Sequence, residues 1–316
     1  MIVNPASGRP DSGASWRAIE HALRESGVPY DSVHTGCPGH GEALAQEALG
    51  SGHRRILVVG GDGSVNEVVQ GVMTAGLADT REVTLAVAPT GTGNDWARSL
   101  GIGRDPRGIA RALVAGRTLL HDVGAIDFPG SNAPRRWFMN VAGAGYDAWV
   151  SERVPRPVPS AFTYLRIALA GLVRYRSPQF TITADGERTE GKLLLAFVAN
   201  AQYCGNRMHV VPTARMDDGL LDVLAVRELT LLEVLPKLGK LYGGRILGDP
   251  AVRHLRAAAV RIETDPPVTV QADGQVLSTT PAEFSLRPQA LAVVTAPAGP
   301  SPAGAAVRAG SAPRNG

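Results

Sequence analysis

Cysteine is scarce in this sequence of 316 residues, which holds only Cys37 and Cys204. Two thiols so far apart exclude a disulfide framework and a cysteine-based metal cluster, and a reducing compartment fits them best. A strong charge is missing too. With 32 Lys and Arg against 29 Asp and Glu, the net charge is +3, which leaves anionic or phosphorylated ligands open without calling for a nucleic-acid partner. No apolar run reaches the roughly 20 residues that span a bilayer. The longest, residues 161–173, carries Arg166 in its middle and reads as a partly buried helix. Its flanking Arg153, Arg156, Arg174 and Arg176 would allow a transient contact with an anionic membrane surface. No signal-peptide pattern precedes the first motif, so a cytoplasmic location is expected, peripheral to the membrane when a lipid is bound. Only Met1-Ile2-Val3 stands before Asn4-Pro5. A strand usually has about five or six residues, so the natural start is expected upstream.

What is present is an ordinary globular composition, 44% hydrophobic and 19% charged, in a chain long enough for two domains of about 100–200 residues each. Residues 1–124 alternate short β-branched runs, at 2–3, 31–34, 55–59, 84–88 and 118–123, with helical patterns at 16–25, 42–49, 65–74 and 107–115. That alternation predicts a doubly wound, three-layer α/β domain with a parallel sheet. Residues 125–296 change to short alternating segments, at 180–184, 192–200, 220–226, 260–263 and 268–272, separated by Gly, Pro and Asp. They predict a mostly antiparallel β-sandwich, interrupted by a leucine-striped helix at 229–247. Edge strands of such a sandwich could pair two chains into a homodimer. The segment 297–316, rich in Pro, Ala, Gly and Ser, is expected to be disordered.

The strand at 55–59 runs directly into Gly60-Gly61-Asp62-Gly63-Ser64-Val65-Asn66-Glu67. In an open α/β sheet, ligands sit beyond the carboxyl ends of the strands, where helix N-termini present free N–H groups to anions. The run is neither the Walker pattern nor the dinucleotide GxGxxG. Asp62 makes sense beside phosphate only if it holds a magnesium ion or orients a proton acceptor. Alone, GGDG is more often a tight turn than a phosphate site. Two further loops, Asn4-Pro5-Ala6-Ser7-Gly8 and Pro89-Thr90-Gly91-Thr92-Gly93-Asn94-Asp95, follow other strands of the same sheet. Three such loops on one edge form a cleft rich in backbone donors.

NPASG, GGDGSVNE and PTGTGND, in that order and spacing, resemble the diacylglycerol kinase catalytic family, which includes bacterial lipid kinases and relatives of sphingosine kinase. The resemblance implies a nucleotide cleft between the two domains, with ATP as phosphoryl donor, Mg2+ as cofactor and a lipid alcohol as acceptor. It places Asn4 to Gly8, Thr35, Gly60 to Glu67, Thr92 and Asn94 against ATP, with Arg9 where relatives often have a lysine. It also assigns Asp62, Asp95 and Asp122 to the organisation of magnesium and water near the phosphates. Arg215-Met216-Asp217-Asp218-Gly219-Leu220 is similar to a structural magnesium site, built from the Asp218 carboxylate and the carbonyls of Arg215 and Leu220; a plain β-turn on Asp-Gly is the competing reading. The segment 140–147 resembles the family's opening of the second domain.

One departure matters. Where active members have Asp-Gly-Glu, with the glutamate as base, this sequence has Asp273-Gly274-Gln275. A carboxamide has no useful basicity near neutral pH. The proton could pass to Asp62, Asp122 or phosphate oxygen, since a loose transition state needs little base help. Alternatively the enzyme is slow, or it is a pseudokinase that binds nucleotide and lipid without transfer. A kinase of soluble nucleotides is a further option, because NAD kinases share a GGDG loop. A second Asp-Gly-Glu, at 185–187, reads as a hairpin turn.

Overall fold

Near-continuous apolar strands are what a parallel sheet covered on both faces requires, and here they build one. The computed structural model describes residues 1–8, 12–155 and 161–296; Arg9, Arg156 and the segment 297–316 lie outside them. The strands β1 (Ile2–Val3), β2 (Val33–His34), β3 (Arg55–Gly60) and β4 (Thr84–Pro89) pair in parallel, in the order β2-β1-β3-β4. Between them run α1 (Ser12–Glu25), α2 (His40–Gly50) and α3 (Asp62–Thr74), and α4 (Asp95–Ser99) and α5 (Pro106–Ala115) follow β4. The valines at 65, 68, 69 and 72, spaced for one helical face, are all buried. The ends of α5 are written in its sequence. The Asp105 side chain accepts the Arg107 and Gly108 N–H groups, Pro106 opens the first turn, and Gly116 closes the helix at φ 65°.

β5 (Thr118–Asp127) continues past the predicted 123 and leaves the first domain for the second. Beside it, antiparallel, lies the C-terminal strand Ala282–Val294, whose far end pairs in parallel with β4. Two long strands therefore cross between the halves together. The second domain is the expected sandwich. One sheet carries Gln179–Ala184, Ala259–Asp265, the first half of Ala282–Val294, the end of β5 and Arg136–Phe138. The other carries Gln275–Thr279, Thr269–Ala272, Val141–Gly145, Leu221–Arg227 and Val252–Ala257, with Glu187–Ala199 passing from the first sheet into the second. Phe138, Phe180, Ile182, Val198, Leu221 and Phe284 fill the space between them. The predicted helix at 229–247 is shorter, Leu231–Tyr242, because Thr230 and Glu233 form a capping box at its start. Both Asp-Gly pairs are two-residue hairpin turns with two positive φ values, Asp185 and Gly186 at 44° and 89°, Asp273 and Gly274 at 47° and 79°. The apolar stretch forms the helix Ala161–Leu172, and among the described residues no helix is long and apolar enough to cross a membrane.

Candidate active site

Three loops at the carboxyl ends of β1, β3 and β4 meet over the start of α3. Val65 is the first amide to bond back, to the Gly61 carbonyl at 3.1 Å. The N–H groups of Asp62, Gly63 and Ser64 before it have no intrahelical acceptor and stand at the positive end of the helix dipole. Asn4 Nδ2 donates to Ser64 Oγ at 2.8 Å, and its Oδ1 accepts the Ala6 N–H at 3.0 Å. Thr90 Oγ1 donates to Ser7 Oγ at 3.1 Å. Gly61 and Gly91 touch backbone to backbone, since a Cβ on Gly91 would lie 2.5 Å from Gly61 Cα. Pro5, Ala6, Gly8, Gly63 and Thr92 are exposed along this edge, and Thr35 is half-buried, its N–H on the Val3 carbonyl at 2.9 Å. Gly60 packs against Ser64, where any Cβ would collide with the side chain.

Besides the buried Asn66, two residues of the GGDGSVNE run face elsewhere. Val65 is in the core. The Glu67 carboxylate accepts the Gly39 and Gly41 N–H groups at 2.8 and 3.0 Å and so fastens the start of α2. The structure thus gives both a packing role, because they lie on sides of α3 turned away from its open first turn.

The Asp62 carboxylate accepts the N–H groups of Asp95 and Trp96 at 3.1 and 3.0 Å. Asp95 in turn accepts those of Asn206 and Arg207 at 2.9 and 2.7 Å, drawing the Tyr203–Cys204 hairpin of the second domain onto the third loop. Burial, and next the charge of Asp62, raise the Asp95 pKa above its ordinary value. Gly93 lies over both, with its absent Cβ 3.0 Å from Asp62 Oδ2 and 3.5 Å from Asp95 Oδ2. Asn94 is buried at φ 54° and donates to the Gly91 carbonyl at 2.8 Å. The guanidinium of Arg104, which the motifs did not mark, also donates to that carbonyl.

Across the cleft, the Asp273 turn reaches α3 directly. Its carboxylate accepts Asn66 Nδ2 at 3.0 Å and the N–H groups of Met139, Asn140 and Val141 at 2.8, 2.9 and 3.3 Å. Burial pushes its pKa up to about 6, with Asp62 adding to the effect. Asp273 is a fastener between domains, and Gln275 follows it at the first position of the strand Gln275–Thr279. Asn66 is therefore turned to Asp273 and to the Trp137 carbonyl, at 3.1 Å.

Asp122 stands apart from the phosphate edge. It is fully buried, accepting the Gly219 and Gln289 N–H groups at 2.7 and 2.6 Å, and burial raises its pKa. Its bonds run to the 215–220 turn and the C-terminal strand, and the charges that act on it are those of Asp217 and Asp218, not those of Asp62 and Asp95. The segment 215–220 takes its other expected form, a turn. The Asp218 carboxylate pairs with the Arg256 guanidinium and accepts the Leu220 N–H at 3.2 Å, and Arg215 pairs with Asp217 at 3.3 Å. In this arrangement the one carboxylate of the expected set is paired with a cationic side chain. Among the described residues no cluster of three His, Cys, Asp or Glu side chains could hold a metal.

Comparison with known proteins matches both halves to family models. Residues 1–126 match the diacylglycerol kinase catalytic domain, and 140–295 the YegS C-terminal NAD kinase beta sandwich-like domain. A diacylglycerol kinase of Mycobacterium tuberculosis is 32% identical over 300 residues, 93% of either chain. The chain belongs to the diacylglycerol kinase catalytic domain family. A solved diacylglycerol kinase from Bacillus anthracis str. Sterne shares the fold at TM-score 0.70 and 24% identity, over 94% of this chain and 96% of that one. Yeast NADH kinase complexed with NADH shares it more loosely, at TM-score 0.52 and 11% identity, over 93% and 82%. These two likenesses concern the fold alone. In this chain the two halves meet at α3, where Asn66 donates to Asp273.

Proposed function

We propose that this member of the diacylglycerol kinase family transfers the γ-phosphate of ATP to the hydroxyl of a lipid such as diacylglycerol, acting at a membrane surface. The observation that carries the reading is the convergence of three loops on the unpaired N–H groups of Asp62, Gly63 and Ser64, faced by a hairpin that Asn66 ties to α3. Phosphoryl transfer asks mainly for positioning and for neutralisation of oxygen charge. The helix N-terminus supplies fixed donors, and Asn4 and Thr90 hold the loops that surround it. Asp62 and Asp95, beside which Gly93 carries no side chain, would hold a magnesium ion, which would supply neutralisation of phosphate charge.

A second reading rests on Gln275, which favours a pseudokinase that binds nucleotide and lipid without transfer. The test is incubation with labelled ATP and a panel of diacylglycerol, sphingoid bases, phosphatidylglycerol and isoprenoid alcohols. Label in one lipid, abolished by Asp62→Asn, is expected. Nucleotide binding with no labelled lipid would favour the pseudokinase. Activity that survived Asp62→Asn would overturn the role given to the loop.

A further inference from the structure

If residue 275 cannot accept a proton, a transferring enzyme benefits from another carboxylate nearby, and one lies a single side chain away. The strand Val141–Gly145 pairs with Thr269–Ala272, and the helix Tyr146–Arg153 begins directly after it, the chain turning at Gly145 with φ 101°. The turn places Asp147 beside the hairpin. Its Oδ2 accepts Gln271 Nε2 at 2.9 Å, and Gln271 Oε1 accepts the N–H of Gly274, the residue before Gln275, at 3.0 Å. Gly143 makes the approach possible, since a Cβ there would collide with the Asp147 carboxylate.

The other oxygen, Asp147 Oδ1, is buried, and apart from the amides of Asp147 and Ala148 at the start of its own helix no donor approaches it. Such an acceptor carries a desolvation cost that an incoming donor relieves. The Tyr175 hydroxyl is buried without a partner and lies within the field of the Asp147 charge. An acceptor and a hydroxyl without side-chain partners thus lie near enough for the charge of one to act on the other, and an alcohol could serve both. Its wall is apolar: Tyr146 stacks on Trp149 at 5.8 Å, and Tyr175 packs edge-on against both. Cys204 relates this region to the phosphate loops. The charges of Asp95, Asp147 and Asp273 all act on its buried thiol, and Asn206 and Arg207 of the same hairpin bond to Asp95.

We propose that Asp147 accepts the proton of the lipid hydroxyl at Oδ1, in place of residue 275. The inference rests on the kinase reading above. The hydroxyl oxygen bonds to the γ-phosphorus of ATP, the bond from that phosphorus to the β–γ bridging oxygen breaks, and ADP leaves with the electron pair. The hydroxyl proton passes to Asp147 and then to water. Tyr175 and Cys204 are the titratable groups whose interaction with Asp147 is recorded, and burial holds both in their neutral forms at neutral pH. Among the described residues no cation forms an ion pair with Asp147. Burial raises its own pKa to about 6, so it is mainly ionised, yet basic, at neutral pH.

The test compares the full chain, Asp147→Asn, Gln275→Glu and the double variant, with labelled ATP and a short-chain diacylglycerol in micelles between pH 5 and 8. Asn keeps an acceptor for Gln271. The expected result is a kcat lowered about 100-fold or more in Asp147→Asn, with melting temperature and ATP affinity unchanged and the rise of kcat/KM through about pH 6 abolished. Adding Gln275→Glu to that variant should restore turnover. Unchanged activity in Asp147→Asn, a retained pH profile, or a loss that tracks weaker ATP binding or a lower melting temperature would each overturn the assignment alone. An unmodified protein that labels no lipid would overturn the kinase reading, and this proposal with it.

Discussion

Replacing Asp273 by Asn removes a charge while keeping the volume. The carboxylate holds four N–H donors, three from the backbone at 139–141 and one from Asn66. An amide offers one oxygen to them and turns its own NH2 towards the rest. A buried donor left unpaired costs about 1–3 kcal/mol, so at pH 7.5 the variant should be less stable by about that much. Working the other way, burial and the Asp62 charge lift the carboxyl from 3.8 to about 6 in the fold. A folded value above the unfolded one means that the stability this group contributes is complete below the unfolded value and is lost as pH rises through the folded one. Between pH 7.5 and pH 5 the unmodified protein should therefore gain about 1.4 kcal/mol from this carboxyl. The Asn side chain cannot titrate and gains nothing. Urea unfolding of both proteins at the two pH values measures the gap between them, in which the other titrating groups cancel. The gap should widen at pH 5. A gap that narrowed would refute the reasoning, because it would mean that four donors outweigh burial and hold the carboxyl below its unfolded value.

Gly91→Ala sets a Cβ 2.5 Å from the Gly61 backbone, where no flexible side chain can yield. A stability loss of about 1–3 kcal/mol is expected in thermal melts, with at least a tenfold loss of ATP affinity by calorimetry; Gly63→Ala, with nothing within 4 Å, should melt like the parent. Glu67→Ala strips the acceptor from the Gly39 and Gly41 amides and should cost about 1–2 kcal/mol. A stability unchanged by that substitution would show that water serves those amides equally well. Asp249 is buried, with Lys237 and Lys240 on its two oxygens at 2.7 and 2.8 Å. Asp249→Ala should cost about 3 kcal/mol in urea unfolding and expose the helix Leu231–Tyr242 to proteolysis.

Much of the first domain was legible because its signals are local. Asp105, Pro106 and Gly116 mark the ends of α5 within a dozen residues, and a valine-rich strand feeding a glycine loop announces β3, the loop and α3. The converging loops were legible for the same reason, each lying at the end of its own strand. Partners far along the chain were not. Asn66 and Asp273 are 207 residues apart, and nothing near either predicts the bond. A motif also does not say which way each member points. Glu67 belongs to the glycine-rich run by sequence, yet its position on α3 sends the carboxylate sideways to α2. Asp218 had two readings, turn or cation site, and the deciding partner, Arg256, lies on another strand. The return of Ala282–Val294 to the first sheet was missed because its pairing is with β4 and β5, each far earlier in the chain.

That returning strand changes what Asp122 is for. Its ladder with β5 is regular except between Arg287 and Leu291, where residues 288–290 bulge opposite Asp122. Gln289, at φ 47°, gives its N–H to Asp122 Oδ1, while Oδ2 takes that of Gly219 and the Asp122 N–H goes to the Met216 carbonyl. The irregularity falls where the two strands leave the α/β sheet and enter the sandwich, and the turn at 215–220 is bound to it through one side chain. On either side of the bulge, the strands pair residue against residue. A change in the angle between the domains would therefore have to pass through this point, the one break in an otherwise continuous ladder. Asp122, though acidic and conspicuous in the sequence, thus fastens the bulge to the 215–220 turn where the domains join, as Asp273 fastens its hairpin to α3.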